Sequence, residues 1–177
     1  MKRNATRAAA YAEGRALRGK VSRSSHAVWT PEMRRADPMH TLIATSRNRL
    51  EHLLPLRYGR MSVSPFAYMR GCAAMMAADL AAAPATGLRV QACGDCHLGN
   101  FGAFASPERK VLFDVIDFDE TVPAPWEFDL KRLATSFTLA ARGQGYDRRR
   151  AREVTLAMIR SYRSHLHEYA AMAPLDI

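Results

Sequence analysis

Two strand-like segments with a polar, glycine-containing loop between them lie near the middle of this 177-residue chain. LRVQAC and KVLFDVID are rich in apolar and β-branched residues, which favours strands, and the loop CGDCHLGNFG follows the first of them. The sequence on both sides has a helical pattern. These features predict an α+β, mainly helical fold in which helices surround a short β-hairpin near residues 88–117.

Hydrophobic periodicity predicts the surrounding helices. Ser64 followed by Pro65 marks a helix start, because a hydroxyl cap and a proline both suit the free N–H groups of a first turn. Pro55 is expected to end the helix that precedes it. The predicted helices are residues 40–54, residues 64–82 with a Met-rich core face, the segment from Pro125 to RGQG, and residues 147–171.

The chain is expected to contain one domain and an N-terminal extension. Residues 1–39 predict a basic helix over residues 2–18 and then an extended arm with serine clusters and two prolines. No internal repeat or low-complexity linker divides residues 40–177. The final segment, MAPLDI, has no capping or tail signal, so we expect this end to be a cut in a longer protein.

Composition favours a packed, soluble domain with an anionic partner. Hydrophobic residues make up 48% of the chain, yet no apolar run approaches the ~20 residues of a membrane span. The net charge of +9 favours binding of phosphate, nucleotide or nucleic acid. Nucleic acid is not the favoured partner, because the basic clusters lack interleaved aromatic residues. Three cysteines and no secretory signal predict a reducing, cytoplasmic location.

The central loop contains two overlapping signatures. From Cys93 it has the C-x-x-C-H spacing that attaches a c-type haem, but this attachment needs an export route, so no haem is expected. A zinc site would need a second pair of ligands at related spacing. We interpret Cys93, in a buried strand, and Cys96 as small residues packed beneath the loop.

The second signature, G-D-x-H-x-x-N, places Asp95 and Asn100 five residues apart. The segment IDFDET follows the second strand and adds Asp117, Asp119 and Glu120. One carboxylate acting as a base, with an amide and a further carboxylate as oxygen ligands, is the set that magnesium-assisted phosphoryl transfer requires. The order of these residues along the chain therefore predicts a phosphotransfer site.

GDCHLGN followed by VIDFDE resembles the catalytic and metal-binding loops of the protein-kinase-like superfamily, in particular its aminoglycoside and choline phosphotransferase branch. Longer segments, among them RYGRMSVSPFAYMRG and PWEFDLKRLATSF, resemble the bacterial domain-of-unknown-function family 2252 (DUF2252). This second resemblance extends from RSSHAVWTPE to the end of the chain. It implies a kinase-like C-lobe arrangement of helices that is circularly permuted and incomplete here.

The resemblance also implies roles for individual residues. Asp95 would be the catalytic acid that acts as general base for a hydroxyl acceptor, and His97 would be the loop histidine that braces it by hydrogen bonds. Asn100 and Asp117 match the metal-binding amide and carboxylate. Asp119 and Glu120 have no certain counterparts, and either is a further metal ligand or a surface acid.

Four more positions acquire roles from the resemblance or from a departure from it. Asp129 and Arg132 resemble structural supports of the loop. Residues 1–94 lack the glycine-rich hairpin and the strand lysine of a kinase. The resemblance places both elements downstream, so the chain would be an N-terminal portion without the complete nucleotide-binding site. Arg60 and Arg70 are then the cations expected at the phosphates, unless they are surface or paired arginines.

These interpretations lead to one expected function and two alternatives. We expect phosphoryl transfer from ATP with Mg²⁺ or Mn²⁺ to a hydroxylated small molecule or protein. A metallophosphoesterase is disfavoured, because its later G-D-x-x-D and G-N-H-[DE] loops do not occur. A non-catalytic kinase-like or basic nucleic-acid-binding scaffold stays open. Self-association is expected through apolar surface that a missing part would cover.

Overall fold

The computed structural model describes residues 7–34 and 36–172. Helices and strands follow one another as α1 (Arg7–Lys20), α2 (Pro38–Ala44), α3 (Leu54–Met61), α4 (Pro65–Arg70), α5 (Ala73–Ala81), β1 (Arg89–Ala92), β2 (Phe101–Ala105), β3 (Val111–Val115), β4 (Val122–Pro125), α6 (Glu127–Gly143) and α7 (Arg148–Tyr169). Single 3₁₀ turns occur at Ser25–Ala27, Pro31–Met33, Glu51–Leu53 and Leu98–Asn100. The fold is α+β and mainly helical, which confirms the predicted class.

The four strands form two separate antiparallel pairs. β1 pairs with β4, from Arg89 opposite Pro125 to Ala92 opposite Val122, and β2 pairs with β3. The prediction of a single hairpin over residues 88–117 is wrong, because the tight turn at residues 106–110 closes β2 onto β3 and leaves β1 to pair with the next strand. The β2–β3 hairpin is therefore nested between β1 and β4.

This nesting brings two loops together. The segment 93–100 joins β1 to β2, and the segment 116–121 joins β3 to β4. The backbone N–H of Ile116 donates to the carbonyl oxygen of Asn100 at 3.0 Å, so the end of the first loop meets the start of the second. Residues distant in sequence thus lie side by side.

Two predicted helices are interrupted. The predicted helix 40–54 ends at Ala44, and Pro55 lies in the first turn of α3 instead of ending a helix, since a first-turn N–H has no intrahelical partner to lose. The predicted helix 64–82 breaks at Gly71 into α4 and α5. Ser64 caps α4 as predicted, and its Oγ accepts from the N–H of Ala67 at 3.1 Å.

Gly71, at the break between α4 and α5, makes a close contact with α3. A Cβ at this position would lie 2.6 Å from Sδ of Met61, so the α3 side chain packs directly on the glycine backbone. Met69 and Met75 are buried on α4 and α5, whereas Met76 of the predicted core face is half-buried. The Met-rich face is therefore core, divided between two short helices.

Helix α6 is the central element, packing along α7 and against α4 and α5. It begins at Glu127 and not at Pro125, which belongs to β4. The carboxylate of buried Glu127 accepts from the N–H and the hydroxyl of Thr86, at 2.7 Å each, and so ties the helix start to the segment before β1.

The predicted N-terminal helix corresponds to α1, with residues 2–6 outside the described range. The arm that follows packs on α5 through a bidentate ion pair, in which Nε and Nη2 of Arg34 donate to Asp79 at 2.8 and 2.6 Å. The MAPLDI prediction falls almost wholly on residues 173–177, which also lie outside the described range. Within the described residues, no helix has the length and hydropathy needed to cross a membrane.

Two glycines with the same backbone conformation allow a test of the loop packing. Gly94 has φ +80° and a Cβ there would overlap the carbonyl oxygen of Glu120, whereas Gly145 has φ +83° and open space around it. Gly145→Ala should cost about 1–2 kcal/mol through left-handed strain alone. Gly94→Ala should cost more than about 3 kcal/mol, because backbone must also move. Urea unfolding of both variants measures the difference, and equal losses would contradict this account.

Candidate functional site

One face of α6 holds the loop that follows β1. Asp129 accepts from the backbone N–H of Cys93 at 2.7 Å and of Gly94 at 3.1 Å. Seven residues further along the helix, Oγ of the fully buried Ser136 accepts from the N–H of Leu98 at 3.0 Å. Because positions i, i+3 and i+7 share one helix face, the helix supports both ends of the loop.

Arg132 lies between these two supports and contacts the loop acid. Its side chain is 3% exposed, and Nε donates to Oδ1 of Asp95 at 2.7 Å, with Nη2 donating to the same oxygen. Nη2 also donates to the carbonyl oxygen of Met69 at 2.7 Å, at the end of α4. Asp129 and Arg132 thus hold the loop as the resemblance implied. Sequence reasoning missed Ser136, although its position seven residues after Asp129 places it on the same face of the helix.

These contacts leave one oxygen of Asp95 available. Oδ1 is occupied by Arg132, whereas Nε2 of His97 lies 3.6 Å from Oδ2. The Asp95 side chain is 20% exposed. A carboxylate fixed through one oxygen and open at the other can accept a proton or a hydrogen bond from a bound molecule.

His97 is buried beside Asp95, at 3% exposure, with Phe66 edge-on to its ring. Burial lowers the pKa of His97, and the charges of Arg132 and Arg70 lower it further, against the opposing effect of Asp95. The ring is therefore neutral near pH 7. Its Nδ1 has no hydrogen-bond partner among the described residues, so His97 braces the loop by packing more than by the predicted hydrogen bonds.

Asn100 and Asp117 present oxygen atoms from the two adjoining loops. Nδ2 of the buried Asn100 donates to the backbone oxygen of Asp95 at 3.1 Å, which directs the amide oxygen away from the backbone. Oδ1 of Asp117 accepts from the N–H of Asp119 at 3.2 Å and Oδ2 is free of described partners. The carboxylate of Asp119 is exposed at this turn, and its role as a metal ligand stays a prediction.

Six of the seven predicted site residues line one open cleft of about 750 Å³, and Asp119 does not. The acidic and amide wall comes from the two loops, and the basic wall comes from α3, α4 and the segment before them. Four arginines form this basic wall, and we call them the arginine wall: Arg49, Arg57, Arg60 and Arg70. The cleft therefore joins the predicted catalytic groups to a site of positive charge.

The members of the arginine wall differ in freedom. Arg57 is half-buried, and its guanidinium donates to the carbonyl oxygen of Gly71 at 2.6 Å and to Oγ of Ser46 at 3.2 Å. Arg60 and Arg70 are exposed and have no hydrogen bond or ion pair within the described part of the chain. Sequence reasoning missed Arg57, although its spacing of three from Arg60 places both on one helix face.

The donor set fits a magnesium ion better than a soft metal. The described residues contain no group of three or more His, Cys, Asp or Glu that could hold a metal on its own. Magnesium needs only one or two protein ligands beside water and phosphate oxygens, which Asn100 and Asp117 can supply. Burial raises the pKa of Cys96 to about 12 and that of Cys93 above its usual range, so both thiols are protonated. Cys93 lies after β1 and is half-buried, not inside a buried strand as predicted.

Comparison with known proteins identifies one family. The model of a family described as "Uncharacterized protein conserved in bacteria (DUF2252)" matches residues 49–177. The match covers more than half of the chain and includes both loops, the arginine wall and α6. No curated protein and no solved structure matches the chain.

The buried state of His97 predicts a dependence of stability on pH. Its pKa lies below the ordinary value of 6.5, so the unfolded chain binds a proton more readily than the folded one. The stability contributed by the neutral ring is complete above pH 6.5 and is lost as the pH falls below it. His97→Gln should flatten this acid loss in urea unfolding between pH 7.5 and 5.5. The exposed-site control His165→Gln should retain it, and identical slopes for all three proteins would contradict the account.

Proposed function

Since the chain belongs to the DUF2252 family of proteins conserved in bacteria, we propose that its cleft transfers a phosphoryl group from ATP, with Mg²⁺ or Mn²⁺, to a hydroxyl acceptor. One observation carries the proposal. Asp95, with one free oxygen, shares a cleft with the oxygen donors Asn100 and Asp117 and with the arginine wall. This reaction needs a base, a pair of metal ligands and cations that bind phosphate.

The topology of the strands supports placing the family in the protein-kinase-like superfamily. The acid loop lies between β1 and β2, the Asp117 loop follows β3, and β4 returns to pair with β1. In this proposal the acid loop and the Asp117 loop, which flank the β2–β3 hairpin, would be the catalytic loop and the metal loop. Because folds host many activities, the proposal rests on the side chains of the cleft and takes the superfamily only as support.

Asp95 would act on the acceptor. Arg132 holds Oδ1, which leaves Oδ2 as the oxygen that would act as the base. Oδ2 would accept the proton of the acceptor hydroxyl while the hydroxyl oxygen bonds to the γ-phosphorus. The bond from phosphorus to the bridging oxygen breaks, and ADP leaves with the electron pair. Neutral His97 adds no positive charge that would compete for the carboxylate.

Asn100 and Asp117 would hold the metal, which neutralises phosphate charge when it is bound. Arg60 and Arg70 are free to donate to phosphate oxygens from the opposite wall. Arg57 is less available, because Gly71 and Ser46 already use its N–H groups. The arginine wall would thus provide phosphate contacts in the absence of a glycine-rich loop in residues 1–94.

Asp117→Ala tests the metal and nucleotide part of the proposal. Loss of the carboxylate should weaken Mg²⁺-dependent ATP binding about tenfold or more, or about 1.4 kcal/mol, in calorimetric titration. Asp114→Ala removes an exposed carboxylate on β3 outside this cleft and is the matched control. Equal ATP affinity in the two variants, with the fold intact by circular dichroism, would reject the proposal in favour of a non-catalytic scaffold.

Asp95→Asn separates chemistry from binding. The amide cannot accept the hydroxyl proton, so phosphoryl transfer should fall about 100-fold or more while Mg²⁺-dependent ATP binding is kept. Metal-dependent release of ADP from ATP measures the rate, with and without hydroxyl acceptors. A variant that folds and turns over ATP at the wild-type rate would show that Asp95 is not the base.

A further inference from the structure

A small side pocket of about 220 Å³ adjoins the cleft. It shares Arg49, Arg57 and Gly71 with the cleft, so a molecule in the pocket can extend toward the loop acid. Its other polar walls are two threonines of α2 and its C-terminal end, Thr41 and Thr45, and the acid at the end of the IDFDE segment, Glu120. Glu120 is the acid to which the sequence assigned no definite role.

The pocket is adjacent to the loop that carries Asp95. A Cβ on Gly94 would lie 3.1 Å from Cβ of Glu120, so Glu120 packs on the residue that precedes Asp95. On the opposite wall, Arg57 donates to the Gly71 carbonyl at 2.6 Å, just past the end of α4. Both walls of the pocket are thus fixed to the same frame as the base.

The threonines offer oxygen atoms to a ligand. The hydroxyl of Thr41 donates to the carbonyl oxygen of Asp37 at 3.2 Å, and that of Thr45 donates to Leu42 at 3.0 Å. Since each hydroxyl proton is already used, the lone pairs of both oxygens remain as acceptors. They favour a ligand that donates hydrogen bonds.

Glu120 and Arg49 add one free acceptor and one free donor. Both side chains are exposed to the pocket, and neither forms an ion pair or hydrogen bond within the described part of the chain. A ligand hydroxyl can donate to the carboxylate and accept from the guanidinium. The carboxylate of Glu120 disfavours a phosphate group at this place, and two of the five N–H groups of Arg57 are already used by Ser46 and Gly71.

We propose that this side pocket is the acceptor site and that the acceptor is a small, uncharged polyhydroxylated compound; the inference rests on the proposed phosphotransfer function. At about 220 Å³ the pocket has the size of a small molecule, and its donors and acceptors match hydroxyl groups, which both donate and accept. One hydroxyl extends to Asp95 Oδ2 and gives it the proton while its oxygen bonds to the γ-phosphorus and ADP leaves. The remaining hydroxyls contact Glu120, Arg49 and the threonines.

Steady-state kinetics with ATP, Mg²⁺ and three probes test this site: sorbitol, myo-inositol and a serine-containing peptide. At least one polyol should raise the rate of ADP release, and the peptide should not. Glu120→Gln should raise the KM for that polyol about tenfold, with kcat and the Kd for ATP unchanged. Arg49→Gln should raise the same KM about tenfold. The matched controls Glu108→Gln and Arg47→Gln, at exposed positions that do not line the pocket, should leave the KM unchanged.

Calorimetry with the polyols in the absence of nucleotide separates the two proposals. Polyol binding that Glu120→Gln removes supports the pocket even if ATP does not bind, in which case only the phosphotransfer function fails. ATP binding that depends on Asp117, with no polyol binding and no polyol-stimulated ADP release, would overturn the pocket alone. Preference for the peptide, or an unchanged KM in both pocket variants, would overturn it as well.

Discussion

The buried guanidinium of Arg132 is the interaction on which the rest of the structure depends. The Arg132 side chain is 3% exposed, and a charge buried to this extent is tolerated only when an opposite charge pairs with it and its N–H groups have acceptors. Asp95 supplies the pairing charge and the carbonyl oxygen of Met69 takes a further N–H, with Sδ of Met76 3.7 Å from Nη1. Separation of the loop from α6 would therefore leave a buried charge unpaired, which costs several kcal/mol. Separation of α4 or α5 would remove an acceptor of an Arg132 N–H group.

Because of the same interaction, the two oxygens of the Asp95 carboxylate have different roles. One oxygen is held by Arg132 and the other is the oxygen that we propose as the base, so structural support and proposed chemistry meet in a single side chain. Nested hairpins then bring Asp117 to the same place, because β4 must return to β1. Two short helices, α3 and α4, complete the cleft from the other side with the arginine wall, and the break at Gly71 aims a backbone carbonyl at Arg57.

Local signals predicted local structure well. The hydroxyl cap at Ser64 and the proline after it mark the start of α4, and Asp147 caps α7 at the predicted boundary. Two predictions that needed the path of the chain were wrong, the helix end at Pro55 and the pairing of the first strand. Pro55 is compatible with the end of one helix and with the start of another. The strand character of LRVQAC does not indicate which later strand pairs with it.

The sequence by itself determined which chemical groups the loops contain and their order, since Asp95, Asn100 and Asp117 occupy short polar segments that follow strands. Tertiary structure alone decided which oxygen of Asp95 is free, which arginines face it, and that Glu120 lies in a pocket with Arg49. The physical reason is distance along the chain. Contacts such as Arg132 with Asp95 join residues 37 positions apart, and only the packing of whole elements brings such residues together.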